Sequence, residues 1–126
     1  MAKLITGTPG QDTILGTQTA DSIQAGAGSD LIYGFMGADT IDGGTGYDTL
    51  FISGTTLDLN TAKDAQLISV EEVSAKLSNG GVTINLGNQS EGFILTGSAY
   101  KDILTGGQGT NSIDAGDGDD TIFGFG

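Results

Sequence analysis

Five aspartates, Asp12, Asp21, Asp30, Asp39 and Asp48, stand nine residues apart, and Asp102, Asn111 and Asp120 repeat the interval further along the chain. Such side chains act together only if the fold gathers them. Acid–base or nucleophilic catalysis is a poor use for the set, because the 126 residues include no His and no Cys. Zinc and copper favour nitrogen and sulfur donors, whereas carboxylate and amide oxygens suit a hard cation. The chain has few positive charges of its own to offer: 16 acidic residues face four lysines, for a net charge of −12. That balance excludes nucleic acid as a partner and favours a cationic one.

The aspartates belong to a longer pattern. From residue 7 the chain divides into GTPGQDTIL, GTQTADSIQ, AGAGSDLIY, GFMGADTID and GGTGYDTLF, and from residue 97 into GSAYKDILT, GGQGTNSID and AGDGDDTIF. Aspartate or asparagine takes the sixth place. Glycine takes the fourth at Gly10, Gly28, Gly37, Gly46, Gly109 and Gly118, and the eighth is always aliphatic, as at Ile14, Ile23, Ile32, Ile41 and Leu50. Glycine at the second and fourth places permits positive φ, so six residues can form a tight turn. The last three then extend, with the eighth side chain inward and neighbours such as Thr40 and Asp42 outward. One triplet buries almost nothing, so units must stack in groups of three or more. The expected fold is all-β: a parallel solenoid with two repeats per coil, seven coils for 126 residues, about 34 Å long at strand spacing.

Residues 52–96 lack the aspartates and turn glycines, yet the same ruler places Leu59, Ile68, Leu77, Leu86 and Leu95 at eighth positions. The two repeat blocks are also in phase, since a whole number of repeat lengths, six, separates Gly43 from Gly97. The aliphatic ladder is therefore expected to run through the middle, the alternative being a β-rich insert built on GVTINLG and EGFILTG. TAKDAQLISVEEVSAKL has room for a short helix, although Val70 with Val73 also suits a strand. The whole reads as one module over 1–126, with repeat blocks at 7–51 and 97–126 and a middle segment at 52–96.

Stacking places Asp12 over Asp30 over Asp48 on one side, and Asp21 over Asp39 on the other. Carboxylates so close repel, and a cation between them is required. Oxygen donors alone point to Ca²⁺; Mg²⁺ is a weaker candidate because it dehydrates reluctantly and demands a strict octahedron.

The stretches GAGSDLIYG, GFMGADTID, GGTGYDTLF and AGDGDDTIF closely resemble the GGxGxDxUx nonapeptide of the repeats-in-toxin (RTX) family. The resemblance implies a calcium-bound parallel β-roll, with Ca²⁺ held between same-side turns. It implies sites at Asp12 with Asp30, Asp30 with Asp48, Asp21 with Asp39 and Asp102 with Asp120, about four ions. Backbone carbonyls of the turns, including those around Gly10, Gly28, Gly37, Gly46, Gly109 and Gly118, would complete the shells. The motif is weakest where Thr17 and Thr19, or Ser98 and Tyr100, replace both glycines. Asn111 keeps an oxygen ligand but loses the charge, so a metal site there is expected to be weaker, and Phe35 takes a usual glycine place, where it would cap a hydrophobic patch. Residues 52–96 carry none of these ligands and read as an ion-free join.

The function expected from this is a calcium-binding module that folds on meeting extracellular Ca²⁺, part of a larger secreted or surface bacterial protein. Residues 1–9 do not read as a cleaved signal peptide, no run approaches a membrane span, and the chain stops inside a repeat unit. The alternative is a ligand-binding β-roll for polysaccharide or ice, but the outward seventh places Thr13, Ser22, Leu31, Thr40 and Thr49 form no regular array. An enzyme is not expected: GGTGYD lacks the lysine of a phosphate loop, and DAGDGDD lacks the twelfth-place glutamate of an EF-hand. Composition alone would fit a low-complexity linker, which the aliphatic ladder argues against. The open ends of a roll also suit end-to-end self-association.

Overall fold

The computed structural model describes residues 3–35, 37 and 39–124. Along the chain run β1 (Lys3–Thr6), β2 (Thr13–Leu15), β3 (Asp21–Gln24), β4 (Leu31–Tyr33), β5 (Thr40–Asp42) and β6 (Thr49–Phe51). A one-turn helix α1 (Leu57–Asn60) and a 3-10 turn (Asp64–Gln66) follow, then β7 (Leu67–Ile68), β8 (Glu72–Ser74) and β9 (Thr83–Asn85). The last strands are β10 (Ile94–Thr96), β11 (Ile103–Thr105), β12 (Ser112–Asp114) and β13 (Thr121–Phe123). Every pairing is parallel, and even-numbered strands from β2 to β12 form one six-stranded sheet. The odd-numbered strands form a four-stranded sheet, β1-β3-β5-β7, and a three-stranded one, β9-β11-β13. The chain is thus a β-solenoid of about seven turns, as its repeats required.

Within the repeat blocks two nonapeptides make one coil: Ile5, Ile23 and Ile41 align, as do Ile14, Ile32 and Leu50, and Leu104 aligns with Ile122. Apart from Ile122, which is 49% exposed, these side chains lie in or against one core between the sheets, from Ile14 through Leu50 and Val73 to Leu104. Burying each such side chain contributes about 1.5–3 kcal/mol, which is why the triplets hold only in a stack. Phe35 is fully buried in this core. A bulky residue at a turn's second place was expected to cap an apolar patch, and here it becomes part of the interior.

The middle segment continues the solenoid, but not in the register of nines. Ile41 pairs with Leu67 where the ruler would bring Leu59, and Leu50 pairs with Val73 where it would bring Ile68. Val73 in turn pairs with Leu95, again by a coil longer than two nonapeptides. Ile68 and Leu77, expected to face inward, are exposed by 38% and 54%, because Leu67 and Val73 occupy the core rows instead. Leu59, Leu86 and Leu95 are buried, Leu59 from α1 rather than from a strand. The segment that offered a choice of helix or strand uses both, a 3-10 turn followed by the strands carrying Leu67 and Val73.

Between β7 and β9 the backbone ladder is interrupted, and side chains from the longer coil take its place. Thr55 Oγ1 accepts the Thr83 N–H at 2.8 Å, Asn60 bonds both the Thr83 carbonyl and the Asn85 N–H, and Asp64 accepts the Ser90 N–H. These bonds satisfy backbone groups that a further strand would otherwise pair.

Candidate metal centre

Each sixth-place side chain ends a turn just before a strand, which points it back toward the coil preceding it. Asp30 Oδ1 accepts the Asp12 N–H at 2.7 Å, Asp39 that of Asp21 at 2.8 Å, Asp48 that of Asp30 at 2.9 Å and Asp120 that of Asp102 at 2.8 Å. All four expected pairs are therefore brought together. Asn111 makes the same bond, its Oδ1 accepting the Phe93 N–H at 2.9 Å, but its Nδ2 also donates to the Gly107 and Gly109 carbonyls of its own turn.

The second carboxylate oxygen divides the turns into two kinds. At Asp12, Asp21 and Asp102 the turn is closed. Thr8, Thr17 and Ser98 at the second place donate both the N–H and the hydroxyl to the aspartate. At Asp30 and Asp48 the second place is glycine with positive φ (Gly26 at 96°, Gly44 at 86°) and so is the fourth (Gly28 at 104°, Gly46 at 109°). That conformation turns the Gly44 N–H away to Asp42 Oδ1. Asp30 and Asp48 are fully buried, and Oδ2 of each has no hydrogen-bond partner. The turn before Asp120 has the same glycine geometry at Gly116 and Gly118, and Gly37 before Asp39 also has positive φ. Gly10 and Gly109, read from sequence as the same kind of turn glycine, do not adopt it.

A buried carboxylate oxygen without a donor is costly unless a positive charge satisfies it. Asp48 registers this directly: burial, with the nearby charges of Asp30 and Glu71, pushes its pKa from 3.8 up to about 6. The turns pack with no room for side chains, since a Cβ on Gly44 would collide with the Gly26 carbonyl oxygen and one on Gly46 with that of Gly28. Paired carboxylate oxygens beside close-packed carbonyls are a donor set that fits Ca²⁺. Among the described residues no three His, Cys, Asp or Glu side chains cluster into a cage of their own. Carbonyls must therefore supply much of any shell.

Three contributors escaped the sequence pattern. Glu71 Oε2 accepts the Asp48 N–H at 2.8 Å, taking the part of an aspartate where the coil widens. Its signal was present: Glu71 precedes the inward Val73 by two places, as Asp48 precedes Leu50. Asp58, in the first turn of α1, accepts the Gly37 N–H at 2.8 Å. The hydroxyls of Thr8, Thr17 and Ser98 share the second place, a recurrence visible in the sequence, where Thr17 and Ser98 stand out only as replaced glycines.

A family profile for the RTX calcium-binding nonapeptide repeat (4 copies) matches residues 15–50 and 95–124, just over half of the chain. No curated protein and no solved structure matches it. No helix among the described residues is long and apolar enough to cross a membrane.

Proposed function

Since the chain belongs to the RTX calcium-binding nonapeptide repeat family, we propose that it is a calcium-responsive folding module of a larger secreted or cell-surface bacterial protein. The observation that carries this reading is the pair of buried, partnerless oxygens, Asp30 Oδ2 and Asp48 Oδ2, in turns held open by positive-φ glycines. The ion sites lie between Asp12 and Asp30, Asp30 and Asp48, Asp21 and Asp39, and Asp102 and Asp120, about four ions. The later member of each pair follows a positive-φ glycine, while Thr8, Thr17 and Ser98 already satisfy the earlier carboxylate of three pairs. Asn111, whose amide bonds its own turn, stays outside the set.

Calcium binds the coiled chain and not the extended one, so its binding free energy becomes folding free energy. Outside the cell, at an affinity of about 10⁻⁴ to 10⁻³ M, this ties coiling to location. Far-UV circular dichroism during a Ca²⁺ titration, with Mg²⁺ as control, tests the reading. A cooperative gain of β signal with calcium alone is expected; a spectrum already folded and unchanged by calcium would overturn it.

A second reading, a ligand-binding face, has one observation in its favour. On the outer face of the six-stranded sheet Tyr33 and Phe51 stack with ring centroids 5.0 Å apart, and Leu15 and Leu77 flank them in a shallow groove. Soluble polysaccharide that quenches or shifts tyrosine emission would support it, and silence across a broad glycan panel would remove it.

A further inference from the structure

The wide coils contain oxygen donors that the repeat turns do not explain. The 3-10 turn beginning at Asp64 lies against residues 88–92, where Asp64 accepts the Ser90 N–H at 2.8 Å and the Ser90 hydroxyl at 2.9 Å. Burial, with the nearby Asp64 charge, holds the Glu91 carboxyl above the usual carboxylate range, so the two carboxylates lie close to one another. Glu91 Oε2 is buried with no hydrogen-bond partner. Two carboxylates in contact require a proton or a cation between them.

Gln89 separates these two possibilities. Its side chain is 1% exposed and anchored through Nε2 to the carbonyls of Ala62 and Lys63, immediately before Asp64, while its buried Oε1 has no partner. A proton shared by Asp64 and Glu91 would leave that amide oxygen orphaned. A cation reached by all three groups would satisfy the amide oxygen and both carboxylates, and oxygen donors of these types select a hard divalent ion.

We propose that Asp64, Gln89 and Glu91 form a calcium site outside the nonapeptide repeats, in the segment whose sequence reads as ion-free. It pins the 3-10 turn to the 88–92 turn, beside the break between β7 and β9 where backbone pairing gives way to side-chain bonds. The site shares no side chain with the repeat turns, although the Gln89 and Glu91 carbonyls accept the Gln108 and Gly109 N–H groups of the repeat turn stacked against it.

The test uses the full ¹⁵N-labelled chain saturated with Ca²⁺, with Mn²⁺ replacing a small fraction of the calcium. The amides of Asp64, Ser90 and Gly92 and the Gln89 side-chain amide are expected to broaden. In Glu91→Gln that broadening disappears while the Asp30 and Asp48 amides still broaden. Sharp Ser90 and Gln89 signals beside broadened Asp30 and Asp48 would overturn the proposal, as would broadening undiminished in Glu91→Gln. A Glu91 carboxyl ¹³C signal that titrates with pH at saturating calcium would also overturn it, in favour of a shared proton. Broadening at Ser90 with Asp30 and Asp48 unaffected would instead sink the repeat-site reading and leave this one standing.

Discussion

Glu71 Oε2 stands 2.8 Å from the Asp48 backbone nitrogen, in the bond that aspartates make at the repeat turns. The extra methylene lets the side chain reach across where the coil from Leu50 to Val73 outgrows the two nonapeptides that link Ile32 to Leu50. Asp48 is fully buried, so its N–H has no water to fall back on. Glu71→Ala should therefore cost about 1–3 kcal/mol, the penalty of an orphaned buried donor. Urea unfolding in saturating calcium measures it; a loss no larger than that of an exposed control such as Lys101→Ala would contradict the assignment.

The closed and open turns should respond differently to calcium. Ser98→Ala removes a hydroxyl that donates to Asp102 Oδ1 at 2.7 Å, an interaction internal to the turn. It should lower stability by about 1 kcal/mol, by the same amount at moderate and at high calcium. Asp48→Asn removes charge where no hydroxyl compensates, so its cost should grow with calcium. Paired unfolding curves at moderate and at high calcium decide this, and equal behaviour of the two variants would erase the distinction between the turns.

The repeat blocks were legible because three chemistries mark each unit, and every expected eighth-place residue from Ile14 to Leu50 and from Leu104 to Ile122 sits in a strand. The middle misled for an arithmetic reason. The two wide coils, Leu50 to Val73 and Val73 to Leu95, are each out of step with the ruler, but together they span a whole number of repeat lengths, five. They thus imitate five repeat units and restore the phase at Gly97. Only pairing distinguishes them: Leu50 and Leu95 lie in the same sheet, where an odd number of nines would put them in opposite ones. The closing of turns by Thr8, Thr17 and Ser98 was hidden differently, since a glycine pattern records departures without saying what replaces the glycine's role.

Gly46→Ala tests the close packing of stacked turns. Its φ is 109°, and an added Cβ would collide with the Gly28 carbonyl oxygen. The left-handed conformation alone costs about 1–2 kcal/mol for a residue with a Cβ, and neither backbone can retreat without parting the coils. Gly54→Ala, with open space around it and no positive φ, is the control and should be near neutral. Calcium midpoints should rise for Gly46→Ala only; similar midpoints for both would mean that the turns are not stacked as described.

Asp48 sets a pH dependence whose sign reverses with calcium. Its folded pKa of about 6 lies above the ordinary 3.8, chiefly because burial disfavours the charged form, with Asp30 and Glu71 adding repulsion. The calcium-free folded chain therefore holds the proton more tightly than the unfolded chain does. The associated stability is fully present below about pH 4 and is lost as pH rises through about 6. Calcium needs the carboxylate ionised, so its affinity should fall over the same interval as pH is lowered. Comparison of the wild-type chain with Asp48→Asn, from about pH 7 to about pH 5, isolates this group from the other carboxylates. The wild-type calcium midpoint should rise over that range more steeply than the variant's. Parallel pH curves for the two chains would show that Asp48 is already neutralised by something other than a proton or calcium.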